Sequence, residues 1–355
     1  MATSFTGDFI GCQMQRPWTM FLHRAVYRSR ILRSRTMEDY GQHRFTRGAL
    51  ATPDRIVVAT DLADMESLAP HAISQAKAYN ARLTLVHAVE PLCVTSGEEA
   101  AIRYAEHAEL MRQKRAKLVA DAKKIEDAGM PCDSVVRTGT PDEIVCEEIA
   151  ERDATRLIMG TYGRGRLGQL AVGSVAHDLA NCVDVPVFVV GPHARQSSEH
   201  VTPRRILHPV SFAGSYVESF QLAMDIAWKY KAELTVMHVL SRDVIESMVN
   251  AEGAMEWAQN SLDRLVADAR KHLPHVYTWV RTGKLAEQIL KASVCVGANW
   301  IVLGSRGEPR HWPFRESAAF QLVAAAGCPV LTVHHETYRH APENVLDISL
   351  SAPMG

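Results

Sequence analysis

The sequence predicts an α/β protein made of two repeated, doubly wound domains, each on a five-stranded parallel sheet. Two observations carry this. The first is an internal duplication, because segments recur in the same order along the 355 residues. RIVVATD (55–61) is answered by RILHPVS (205–211), ARLTLVHAVE (81–90) by AELTVMHVLS (232–241), and VRTG (136–139) by VRTG (280–283). RLIMGTYG (156–163) pairs with WIVLGSRG (300–307), and VPVFVVGPH (185–193) with CPVLTVHHE (328–336). Ordered repetition of this kind marks a repeated structural unit. The second is the alternation of short β-branched runs with stretches of helical period, the pattern of a parallel sheet covered on both faces.

In the first copy, strands are predicted at Ile56 to Ala59, Leu83 to Val86, Ser134 to Arg137, Leu157 to Met159 and Val187 to Val190. Between the first two, Leu68, Ala72, Ile73 and Ala76 share one helical face. Between the second and third, Met111, Leu118, Ala122 and Ile125 do the same, and Gly129 stops that helix. Val175, Leu179 and Val183 give the period of a last helix before the fifth strand. The domains are expected at 51–193 and 203–335, with a polar, proline-bounded linker at 194–202 and a loosely held tail at 336–355.

Composition narrows the class. Apolar residues make up 47% and charged residues 22%, with a formal net charge of -1, so no bulk field favours a nucleic acid or a membrane surface. No run approaches the roughly 18 to 20 apolar residues of a membrane span. The seven cysteines are dispersed, with no C-x-x-C pair, which suits a reducing, cytoplasmic setting and core filling rather than chemistry. Residues 1–50 are rich in arginine and free of lysine, without the apolar core of a secretory signal. The expectation there is a disordered basic arm, or a translation start assigned too early, since Met37 opens a polar segment just before the first strand.

The chemistry concentrates in GTYGRGRLGQLAVGS (160–174). It follows the fourth strand, and in an open parallel sheet ligands bind beyond the carboxyl ends of the strands, where strand order reverses. Gly160 and Gly163 let the backbone turn tightly and approach a ligand. Gly173 and Ser174 stand at the start of the last helix, ahead of Val175, where free N–H groups and a hydroxyl make an anion site. Arg164 and Arg166 add positive charge from the loop between. The other readings are plainer. A glycine-rich stretch also serves as a simple connector. His87 and His238, inside apolar strands, read as satisfied sheet-end histidines rather than bases. His334, His335 and His340 read poorly as metal ligands, because adjacent strand residues point to opposite faces. The charged stretch around Arg112 to Lys124 reads as a solvated helix face.

With G-x2-G-x9-G-[ST] in this position, both halves resemble universal stress protein domains, and the chain resembles a tandem member of that family. The resemblance implies an adenine nucleotide alpha hydrolase-like, Rossmann-like fold, and an ATP site at Gly160, Gly163, Arg164, Gly173, Ser174 and Val175. It further implies that Thr60 is a nucleotide-binding residue, that Asp61 faces the adenine and ribose side, and that the backbone of Ala88 meets adenine. Ala59 stands where the family often has proline. In the second half Asp61 is answered by Ser211, and Glu316 falls opposite Gly173, where a carboxylate repels phosphate. One competent site is therefore expected, with ATP, and Mg2+ as its accompanying ion, as ligand. No lysine falls in the loop and the P-loop pattern is absent, so binding without efficient turnover is expected, with slow hydrolysis as one alternative and a nucleotide-independent stress scaffold as another. The expected partners are the nucleotide and an unidentified protein, with the two domains joined as an intramolecular pseudo-dimer through PVFVV and PVLTV and a further homodimer of chains open.

Overall fold

The structure is a computed structural model that describes residues 52–92, 98–161, 183–194, 201–212, 216–241, 245, 251–306 and 318–335. The first half contributes β1 (Arg55–Ala59), α1 (Met65–Tyr79), β2 (Arg82–Val89), α2 (Glu98–Asp127), β3 (Cys132–Thr138), α3 (Pro141–Glu151), β4 (Arg156–Gly160) and β5 (Val187–Val190). The second contributes β6 (Arg205–Val210), α4 (Val217–Tyr230), β7 (Glu233–Leu240), α5 (Ala251–Val266), β8 (Val276–Thr282), α6 (Leu285–Val296), β9 (Trp300–Arg306), α7 (Ala318–Ala325) and β10 (Val330–His335). Among the described residues no helix is long and apolar enough to cross a membrane.

Local chemistry sets the boundaries of these elements. Asn80 and Lys231 take the left-handed conformation (φ 53° and 54°) that closes α1 and α4. Gly129, at φ 87°, lies just beyond the end of α2. α3 begins with proline, whose missing N–H is no loss in a first turn. On α2, Leu118, Ala122 and Ile125 are buried, while Arg112 and Lys123 pair with Glu109 and Asp127 on the solvent side. This helix starts well before the periodic stretch, because Glu98 to Leu110 is rich in alanine and glutamate, strong helix formers that need no core.

The ten strands form one sheet in the order β3-β2-β1-β4-β5-β10-β9-β6-β7-β8. Within each half all pairings are parallel, and the chain reverses its direction of travel across the sheet between β1 and β4, and again between β6 and β9. The halves meet at β5 and β10, which run antiparallel with Val189 opposite Val330, Phe188 opposite Leu331 and Val187 opposite Thr332. Each half is drawn together at equivalent points: Thr155 accepts from the N–H groups of Asp54 and Arg55, and Asn299 from those of Arg204 and Arg205.

Aromatic side chains fill the seam. Phe188 of β5 lies 4.6 Å, ring to ring, from Trp300 of β9, and Tyr79 of α1 meets Tyr230 of α4 edge to face at 6.0 Å. Arg156 is wholly buried at the start of β4, where Nη1 donates to Gln75 Oε1 at 2.9 Å and the guanidinium lies over the Tyr79 ring. His71, one turn before Gln75, packs against Phe188 and donates to the backbone carbonyl of Val201, in the segment that connects the halves. Burial holds its pKa down at about 4, even though the Val201 bond favours the charged ring.

A pH effect on stability follows from that histidine. The unfolded chain protonates its histidine near the ordinary value of 6.5 and the native chain only near 4. The His71 contribution is therefore fully present above pH 6.5 and is lost as pH falls toward 4. Melting curves across that range should fall more steeply for the native protein than for His71→Gln. Parallel curves would exclude His71 as the cause.

Candidate functional site

The polar residues of the first half gather where strand order reverses. β1 and β4 are in register up to Ala59 and Met159, so their next residues, Thr60 and Gly160, open the crevice between them. Thr60 extends the β1–β2 pairing by donating its N–H to Val86 at 3.0 Å. The chain then turns through Asp61, Leu62, Ala63 and Asp64 into α1, and side chains organise that turn. Thr60 Oγ1 accepts the Leu62 N–H at 2.9 Å, and Asp61 Oδ1 accepts those of Ala63 and Asp64 at 2.7 and 3.2 Å. Together they hold Leu62 at φ 73°, a conformation that a branched residue keeps only when its surroundings fix it.

Asp64 is the residue that sequence reasoning missed. Its Oδ1 accepts from the Thr60 hydroxyl at 2.5 Å, and its Oδ2 lies where a Cβ on Gly160 would sit. A side chain at Gly160 would have to push the Asp64 carboxyl group aside. Burial raises the Asp64 pKa from 3.8 to about 7; the Thr60 bond opposes this and the nearby Asp61 charge adds to it. Asp64 stands at the N-cap position of α1. The structure shows no side-chain cap bond there. The signal lay in tertiary burial, which spacing does not carry.

The other expected residues are placed as follows. Thr60 is buried, Asp61 half-buried, and Ala88 sits half-buried at the carboxyl end of β2, in register with Arg137. Gly160 ends β4. Gly163, Arg164, Gly173, Ser174 and Val175 lie outside the described residues, as do Arg166 and Glu316. His87 Nδ1 stands 2.8 Å from the Thr60 carbonyl, and His238 Nδ1 stands 2.8 Å from that of Val210. A carbonyl only accepts, so both rings donate there as sheet-end staples. The side chains of His334 and His335, and all of His340, lie outside the description.

The second half builds the same crevice from different groups. Val210 stands for Thr60 and Ser211 for Asp61, and Phe212 takes the place of Leu62. Phe212 packs 4.8 Å from the His238 ring, 5.5 Å from Trp257 and 5.7 Å from Tyr216. An aromatic cluster thus surrounds Phe212 next to the positions where Val210 and Ser211 replace Thr60 and Asp61.

Fold and crevice together define a class: a doubled, doubly wound α/β protein whose described polar groups Thr60, Asp61 and Asp64 gather at the switch point of its first half. The chain belongs to the universal stress protein family, whose profile matches residues 53–191 and 203–334. A universal stress protein from Thermus aquaticus, "in QAH/OAS sulfhydrylase 3'region", is 32% identical over 141 residues, covering 38% of this chain and 96% of that protein. The crystal structure of a universal stress protein from Archaeoglobus fulgidus DSM 4304 superposes with a TM-score of 0.59 at 17% identity, covering 80% of this chain and 97% of that one. Two shorter members are solved in complex with cAMP (22% identity, 41% of this chain and 99% of that one, TM-score 0.32) and, from Archaeoglobus fulgidus, with dAMP (22%, 38% and 95%, 0.28).

Proposed function

We propose that the first half binds ATP in the crevice between β1 and β4, and that the protein acts as a nucleotide-dependent regulator in a stress response. The second half then serves as a paired copy without a site. The observation that carries this is the contrast within one chain. Thr60, Asp61, Asp64 and Gly160 meet at one switch point, while Val210, Ser211 and an aromatic cluster stand at the other. A shared fold with divergent polar groups points to selection on the crevice rather than on the scaffold. In this reading Asp61 faces the ribose, Ala88 offers its backbone to adenine, and Gly163, Arg164, Gly173, Ser174 and Val175 receive the phosphates. Mg2+, if it accompanies ATP, screens phosphate charge there.

Equilibrium binding of ATP to the full chain tests the reading, with cAMP and dAMP as companion ligands. Gly173→Glu, which copies the second half, should abolish ATP binding while leaving the melting temperature within a few degrees. Absence of ATP binding to the native protein would sink the proposal. Phosphate release should be slow or nil; turnover that Asp61→Ala removes would favour the ATPase reading instead.

A further inference from the structure

We infer that Asp64 is itself a ligand-facing residue of this crevice, and that an anionic nucleotide binds there together with a proton taken up by the Asp64 carboxyl group. The inference deepens the nucleotide reading and rests on it.

The geometry comes first. Oδ2 of Asp64 overlies Gly160, the residue at which β4 delivers the chain into the glycine-rich loop. The Thr60 hydroxyl already accepts from the Leu62 N–H, so its own proton goes to Asp64 Oδ1. Oδ2 is thus the oxygen left against Gly160, and it carries the proton when the acid is neutral, with the Asp61 side chain within hydrogen-bonding reach of the same carboxyl group. Among the described residues, the groups on the surrounding elements leave the carboxylate poorly compensated. β1 contributes Thr60 and the carboxylate of Asp61, and α1 continues through Met65 and Glu66. β4 and its end present Gly160 and Thr161, neither of them ionisable. His87 on β2 spends its Nδ1–H on the Thr60 carbonyl. Among the described residues no lysine or arginine forms an ion pair with Asp64. The result is a carboxyl group poised to titrate near pH 7.

A phosphate in the crevice adds negative charge beside that group. Two like charges a few ångströms apart in a partly dry site repel strongly, and neutralising one removes the penalty. The neutral acid offers Oδ2–H as a donor to a phosphate or ribose oxygen, whereas the carboxylate offers only lone pairs. The step is proton association alone: carboxylate plus a proton from solvent gives the carboxylic acid, with no other bond made or broken. Linkage then works in both directions, so bound nucleotide raises the pKa of Asp64, and ionised Asp64 weakens the nucleotide. In the sequence of the second half, Val210 stands where Thr60 supplies the hydroxyl that orients the acid, and Gly214 stands where Asp64 supplies the acid.

The test is calorimetric titration of ATP and of uncharged adenosine into the full chain at pH 6.0, 7.0 and 8.5, with native protein and Asp64→Asn. The native Kd for ATP should weaken by about tenfold or more between pH 6.0 and 8.5, as one added like charge at a binding cleft produces. Asp64→Asn should bind ATP more tightly than native protein at pH 8.5, and adenosine should show little pH dependence in either. The ligand's own phosphate titration is common to both proteins and cancels in their ratio. Repeating the native titration at pH 7.5 in buffers of different ionisation enthalpy should reveal net proton uptake. In the ligand-free native protein, carboxyl NMR should place the Asp64 midpoint near 7; a midpoint below 5 overturns the inference without recourse to a variant. Equal pH dependence in native and Asp64→Asn overturns the inference alone. Absence of binding by either ligand at every pH overturns the nucleotide reading and this inference with it.

Discussion

Trp300→Ala should destabilise the native chain by about 3–5 kcal/mol, the usual loss for removing a fully buried large aromatic side chain. Trp300 has no exposed surface. It touches Phe188 across the seam and Tyr230 on α4, and its Nε1–H donates to the Val201 carbonyl at 3.3 Å. Truncation leaves a cavity between the halves and strips Val201 of that donor, so transfer and hydrogen-bond losses act together. The effect extends beyond the second half. Phe188 lies opposite Leu331 in the β5–β10 pairing, so the cavity opens beneath the strands that hold the halves together. Calorimetry should show a melting temperature lower by roughly 10 °C and a broader transition. A loss below about 1 kcal/mol would mean that the seam repacks freely.

Gly191→Val should act at the same seam from the other side, near or above the upper end of the roughly 1–3 kcal/mol range for overpacking. A Cβ at Gly191 would collide with the backbone carbonyl oxygen of Val323 on α7. This glycine is required for room rather than for its dihedral, since its φ is not among the positive ones. A side-chain neighbour could rotate away, but a helix carbonyl moves only with its helix. α7 feeds β10, so displacing it should loosen the pairing with β5. Hydrogen exchange at the β10 amides, compared with those of β1, would show the damage confined to the seam. Uniform exchange across both strands, or an unchanged melting temperature, would contradict the argument.

The strands could be read in advance because a doubly covered parallel sheet writes itself as unbroken apolar runs, as in Val57 and Val58 of β1 or Phe188 and Val189 of β5. The faces of α1 and α2 could be read because the helical period places Leu68, Ala72 and Ala76, or Leu118, Ala122 and Ile125, against the sheet. The beginning of α2 could not, since Glu98 to Leu110 form a helix without a periodic apolar face to announce it. Arg156 was equally opaque: a charged residue opening a strand reads as exposed, and only the packing of α1 and α4 against the sheet buries it. Within the crevice, Gly160 could be named from the glycine spacing and Asp61 from the family resemblance. Asp64 could not, because its character comes from a glycine nearly a hundred residues later in the chain and from a hydroxyl one turn earlier. Spacing reports which groups are available; burial decides what they do.

The antiparallel joint between β5 and β10 has a consequence for inheritance as well as for packing. Two identical chains joined through such strands must carry the same residues on both sides, so a substitution that helps pairing on one face is imposed on both crevices. Placing both partners on one chain lifts that constraint: Thr60 and Val210, or Leu62 and Phe212, can diverge independently. The tether also removes dilution as a variable, since the halves meet at an effective concentration set by their short connection rather than by expression level. Each molecule therefore keeps one polar crevice beside one aromatic one at any abundance, a fixed dose that a pool of separate subunits could not guarantee.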